Sequence, residues 1–167
     1  MTFPIKPISK SGIAAALMKA ERYRLINDPS AAESICLDVL AVEPENQQAL
    51  VDMILSITDQ FSHAPAVEYG RAIEHLPRLK DEYKRAYYEG IICERRARAH
   101  LTIGAPGAAE MAYDWIRRAM AHYERAEQLR PGGNDEAILR WNTCVRILER
   151  DQHLRPGIEQ EYEPSFE

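Results

Sequence analysis

No apolar run in this chain is long enough to cross a bilayer, no two cysteines sit in a CxxC spacing, and no secretory leader is visible. These absences lead us to expect a cytoplasmic protein with no membrane insertion. Cysteine is scarce: Cys36, Cys93 and Cys144 are odd in number, far apart and each inside a helical pattern. They read as small buried hydrophobes in a reducing compartment. Valine and threonine are few beside alanine, leucine, glutamate and arginine, which disfavours sheet. A basic excess is also missing. With 21 Lys and Arg against 26 Asp and Glu, the formal charge is -5, so we expect no nucleic-acid partner, although a local basic patch stays open. At 167 residues one domain with a sizeable core fits without disulfides or metals.

What is present centres on Ala119 to Trp141, AMAHYERAEQLRPGGNDEAILRW. Ala119, Tyr123 and Ala126 share one helical face, where two small residues admit a neighbouring backbone and the ring fills the gap. Pro131, Gly132 and Gly133 then stop the helix. An earlier copy runs through Ala32, Cys36, Val39 and Pro44, followed by Asn46 and Ala49 as Pro131 is followed by Asn134 and Ala137.

Hydrophobic periodicity predicts seven helices, at about 12–27, 31–42, 45–61, 66–76, 81–101, 108–129 and 135–150. Helical hairpins closed by proline imply a repeated unit. Pro44 and Pro77 are 33 residues apart and Pro77 and Pro131 are 54 apart, one period of about 34 plus inserted helical length. The third hairpin is therefore expected to be elongated and to protrude. The organisation is then an irregular arm over 1–11, a helical repeat domain over 12–150 with repeats at 12–44, 45–77 and 80–131 and a capping helix at 135–150, and an acidic tail over 151–167.

These residues resemble the tetratricopeptide repeat family. Ala20, Tyr23, Ala32 and Pro44 fall on its small, aromatic, small and proline positions. Gly90, Ala119, Tyr123, Ala126 and Pro131 do so in the third unit, whereas Ile54 and Gly70 depart from the pattern in the second. The resemblance implies an all-α, right-handed solenoid of antiparallel hairpins. It also implies a non-enzymatic scaffold or adaptor that binds a peptide or helix of a partner protein in a concave groove, with no cofactor. Carried over by offset, the groove would comprise Leu17, Glu21, Arg24, Gln48, Asp52, Leu55, Asp59, Tyr87, Ile91, Arg95, Arg140 and Arg146. One subtype clamps the acidic C-terminus of heat-shock chaperones. Leu17 and Glu21 stand where that clamp needs lysine and asparagine, and Asp52 would repel a carboxylate, so that ligand is rejected. The alternative reading is a small chaperone or regulator of one client, like the cytosolic chaperones of secretion substrates.

Chemistry is thin. His63, His75, His100, His122 and His153 form no HExxH, metal-ligand pair or catalytic triad spacing and read as solvated or capping residues. The run from Gly104 to Gly107 lacks the Gly-Lys-Ser/Thr ending of a phosphate loop and reads as a helix-helix turn. Arg95, Arg96, Arg98, Arg117 and Arg118 concentrate positive charge in the long hairpin, with Glu94 spaced to pair with Arg98. That face reads as solvated and salt-bridged, with an acidic-partner site as the alternative. Tyr83 and Tyr87 are expected to pack inside the hairpin and Tyr88 to be the more exposed ring. Met111 and Trp115 offer an apolar side for a homodimer. In the tail, Ile158, Tyr162 and Phe166 recur every four residues among glutamates. The default is a disordered solubilising segment, and the alternative is docking in its own groove or a neighbour's.

Overall fold

A computed structural model describes residues 3–62 and 65–156, with residues 65–67 by their backbone only. The predicted seven helices are there: α1 (Ile13–Leu25), α2 (Pro29–Val42), α3 (Gln47–Thr58), α4 (Pro65–His75), α5 (Glu82–Ile103), α6 (Ala108–Leu129) and α7 (Glu136–Arg150). No strand occurs among the described residues, so the protein is all-α.

Local chemistry sets the boundaries. Asn27 takes a left-handed φ of 63° after α1, a conformation asparagine tolerates better than most residues. The Asp28 carboxylate then accepts the Ala31 amide at 3.2 Å, and Pro29 fills the first helical position. Asn46 caps α3 through the Ala49 amide at 2.9 Å, and Asp81 caps α5 through Tyr83 at 2.8 Å. The third helix is shorter than predicted at both ends. It starts at Gln47 rather than 45 because Asn46 is its cap, and it ends at Thr58, with the chain continuing as turns through Ser62.

Each helix packs on the next, and α1, α3 and α5 also touch in turn. Two main apolar clusters result. The first joins α1 to α4 around Leu50, Ile54, Ile57, Val39 and Cys36, and reaches Ile92 of α5. Burying each large aliphatic side chain contributes about 1.5–3 kcal/mol. The second joins α5, α6 and α7 around Ala97, Ala112, Ile116, Ala119 and Tyr123. All three cysteines are free and buried, and burial pushes each thiol up to about 12.

The third hairpin is long as expected, with 22 residues in each helix, about 33 Å at the α-helical rise. Its closest approach lies at Gly90. A Cβ there would stand 2.5 Å from the Tyr123 ring, so only glycine lets the buried tyrosine lie flat against α5. Packing reaches beyond residues 12–150 on both sides. Ile8 packs on the first cluster from the arm, and Leu154, 4% exposed, packs on the second beyond α7. A turn closed by Leu154 N–H on Asp151 O returns the chain to the bundle. Residues 157–167, with Ile158, Tyr162 and Phe166, lie outside the described residues, as does His63.

Candidate functional site

Because α1, α3 and α5 touch in turn, their facing side chains meet along one surface. Leu17, Met18, Glu21 and Arg24 from α1, Gln48, Val51, Asp52 and Leu55 from α3, and Tyr88 from α5 line a cleft of about 430 Å³. Six of the residues carried over by offset thus come together. Met18 and Val51 were not among those residues, and neither was Tyr88. The ring was expected on an open surface but is half-buried in the cleft wall, packed on both apolar clusters. Burial raises its hydroxyl to about 12.

Charge in the cleft is unevenly committed. Arg24 Nε donates to Asp59 Oδ2 at 2.8 Å, and Arg95 Nη1 holds Asp59 Oδ1 at 2.6 Å. Arg95 also donates to Leu55 O at 3.0 Å and Thr58 Oγ1 at 2.5 Å. One carboxylate therefore ties the C-terminal ends of α1 and α3 to the middle of α5, and both arginines are engaged inside the protein. Burial lowers the Arg95 pKa, and the Asp59 charge opposes that effect. Asp52 is 5% exposed and accepts Gln48 Nε2 at 3.1 Å. Burial raises its carboxyl pKa, which the Gln48 hydrogen bond only partly offsets. Glu21 has no ion-pair partner among the described residues.

Four expected groove residues lie elsewhere. Ile91 is 5% exposed in the second cluster, a core residue. Tyr87 stacks on Tyr83 at 5.7 Å and tilts against Tyr123 at 6.0 Å, inside the hairpin. Arg140 donates to Glu94 Oε2 at 2.8 Å. Arg146 lines a different cleft, between α5 and α7. For Tyr87 and Ile91 the cause is register: on the 22-residue α5, a one-residue error turns a side chain by about 100°, whereas Arg140 and Arg146 belong to α7, which does not line the cleft.

Glu94 is the residue whose importance sequence spacing understated. Its side chain is fully buried. Tyr123 Oη donates to Oε2 at 2.8 Å, and Arg98 donates to Oε1 at 2.9 and 3.2 Å alongside the Arg140 contact. The expected pairing with Arg98 is present, but α6 and α7 supply the other partners. On the opposite side of α5, Arg96 lies over the rings of Tyr69 and Trp115 at 4.3 and 4.5 Å, and Arg118 covers Trp115 at 4.7 Å. Trp115 is thereby engaged within the chain, and Met111 is 40% exposed.

Of the histidines, His122 Nδ1 stands 3.4 Å from Glu89, His75 Nδ1 stands 3.4 Å from Arg78, and burial lowers the pKa of His75 and His100. No group of three His, Cys, Asp or Glu side chains suited to a metal ion occurs among the described residues, and no helix there is long and apolar enough to cross a membrane.

No family model, curated protein or solved structure matches this chain. The repeat-like reading therefore rests on its own residues, Gly90 against Tyr123 above all.

Proposed function

We propose that the chain is a non-enzymatic, cytoplasmic interaction scaffold, a right-handed solenoid of the tetratricopeptide kind that holds a segment of a partner protein between α1, α3 and α5. The observation that carries this reading is that three alternate helices line one cleft with both apolar and acidic side chains. Leu17, Met18, Val51, Leu55 and Tyr88 supply the apolar wall. Asp59 occupies Arg24, so the uncommitted charge belongs to Glu21 and Asp52. A peptide presenting an apolar side chain beside a lysine or arginine fits. Its cation would relieve the desolvated Asp52 carboxylate, whereas an acidic peptide would add to the strain.

Panning a random peptide library on the full chain tests this. Recovered sequences should share an apolar–basic pair and bind Asp52→Lys at least about tenfold more weakly, the effect of like-charge contact across an interface. Recovery of no binder, or of binders indifferent to both Asp52→Lys and Leu17→Asp, would overturn the reading.

A second reading, a chaperone or regulator of one client, draws on the outer face of α1. Met18, Leu25 and Ile26 are 64%, 79% and 71% exposed beside a cleft of about 780 Å³. It predicts that Leu25→Glu with Ile26→Glu abolishes protection of an aggregating reporter. The same face would serve a homodimer, for which light scattering would give twice the chain mass.

A further inference from the structure

A second cleft, about 520 Å³, opens between the C-terminal half of α5 and the outer half of α7. It is lined by Arg98, Leu101, Thr143, Arg146, Ile147 and Arg150. Its lining combines apolar Leu101 and Ile147 with three guanidiniums and includes no acid. Arg98 is spoken for by Glu94. Arg146 and Arg150 have no ion-pair partner among the described residues. Two unneutralised cations beside the half-buried Leu101 and Ile147 form a site for a segment that is both acidic and apolar.

The chain itself brings such a segment to the edge of the cleft. After α7 it turns at Asp151 and buries Leu154 in the same α5–α6–α7 cluster, and Arg155 Nε donates to Gln152 O at 2.8 Å. His153 lines an adjoining cleft of about 460 Å³ that shares Leu101 with the first. The described residues end at Pro156, six positions past Arg150. The next eleven, GIEQEYEPSFE, contain four glutamates, no lysine or arginine, and Ile158, Tyr162 and Phe166. In an extended strip Glu159, Glu161 and Glu163 share one side, and Ile158 and Tyr162 the other. Eleven residues span up to about 36 Å, ample to cross the cleft, and the covalent link holds them at an effective concentration on the order of millimolar.

We propose that residues 157–167 dock in the α5–α7 cleft of their own chain, glutamates on Arg146 and Arg150 and Tyr162 against Leu101 and Ile147. The segment then covers a cationic surface distinct from the α1–α3–α5 cleft, and this assignment stands whether or not that cleft binds a partner. An external acidic–aromatic peptide has to displace it.

Amide hydrogen exchange on the full-length protein tests the assignment. Exchange over 157–167 should be slowed about tenfold or more at low salt, relative to an unstructured peptide of the same sequence, and return toward the peptide rate at high salt. Arg146→Glu with Arg150→Glu should release the segment, and the milder Arg146→Gln with Arg150→Gln should do so in part, each with helical circular dichroism unchanged. Adding Glu159→Lys, Glu161→Lys and Glu163→Lys to the charge-reversed protein should restore protection. Peptide-like exchange in the natural chain, or protection indifferent to these substitutions, would overturn the proposal. Protection that rises with protein concentration alongside a doubled mass would assign the segment to a second copy and overturn docking within one chain.

Discussion

The helices α1 to α4 and the helices α5 to α7 are held together by different means. The first group closes mainly on aliphatic side chains: Leu50, Ile54, Ile57 and Val39 form its centre, its buried polar side chains are the small Asp52, Ser56 and Thr58, and its arginine–aspartate tie has side chains 18–25% exposed. The second group closes on Tyr123 and a fully buried Glu94 whose partners come from α5, α6 and α7. Apolar packing is non-directional and tolerates volume-conserving exchange. A buried carboxylate is tolerable only while every partner stays in place. The C-terminal half is therefore the more exacting in geometry, and the N-terminal half the more permissive.

Removing the carboxylate should separate the two halves most sharply. Glu94→Ala leaves Arg140 and the Tyr123 hydroxyl without their shared acceptor and should cost about 3–5 kcal/mol in urea unfolding. Ile54→Val, in the apolar half, should cost about 0.5–1.5 kcal/mol. Equal losses would break the contrast.

Glycine substitutions repeat the comparison on a smaller scale. Gly90→Ala forces a methyl group into the Tyr123 ring and should cost about 1–3 kcal/mol, with much of the loss recovered by Tyr123→Leu in a double-mutant cycle. At Gly70, on exposed helix, nothing lies within 4 Å of an added Cβ. Gly70→Ala should instead stabilise by about 0.5–1 kcal/mol through backbone entropy. A loss at Gly70 or neutrality at Gly90 would mean that close approach does not govern these helices.

The smallest expected effect is at Asp52, the buried acid in the permissive half. Its folded pKa is raised above 3.8, so the folded state favours the proton and the ionised form destabilises it above the folded pKa. Stability linked to this group rises as pH falls through that raised value toward 3.8 and is level below it. Asp52→Asn keeps an acceptor for Gln48 and should raise the melting temperature at neutral pH, with the gain vanishing at acid pH. A gain independent of pH would assign the effect to something other than this carboxyl.

Helices, caps and turns were legible because their signals are local. Asp28, Asn46 and Asp81 bond to amides two or three residues on, and the proline spacing marks hairpins directly. Leu17, Glu21, Arg24, Gln48, Asp52 and Leu55 were named together through offsets carried over from the family resemblance, and on helices as short as α1 and α3 such offsets leave little freedom of register. Ile91 and Tyr87 were misplaced because α5 runs for 22 residues without a break to fix its phase. The pairings of Asp59 with Arg24 and Arg95, and of Glu94 with Tyr123 and Arg140, are 29 to 46 positions apart in sequence. No spacing rule reaches across such separations.

The sequence by itself determined the helices, their order and the small-residue seams at Ala20, Ala32, Ala119 and Ala126, since these follow from dihedral preferences and hydrophobic period within a few turns. Only the tertiary structure decided which charges face outward. An arginine on an amphipathic helix reads the same whether it has no ion-pair partner among the described residues, as with Arg146, or meets a buried glutamate, as Arg140 does. The difference lies in which helix packs opposite, a long-range outcome of how the apolar faces close together.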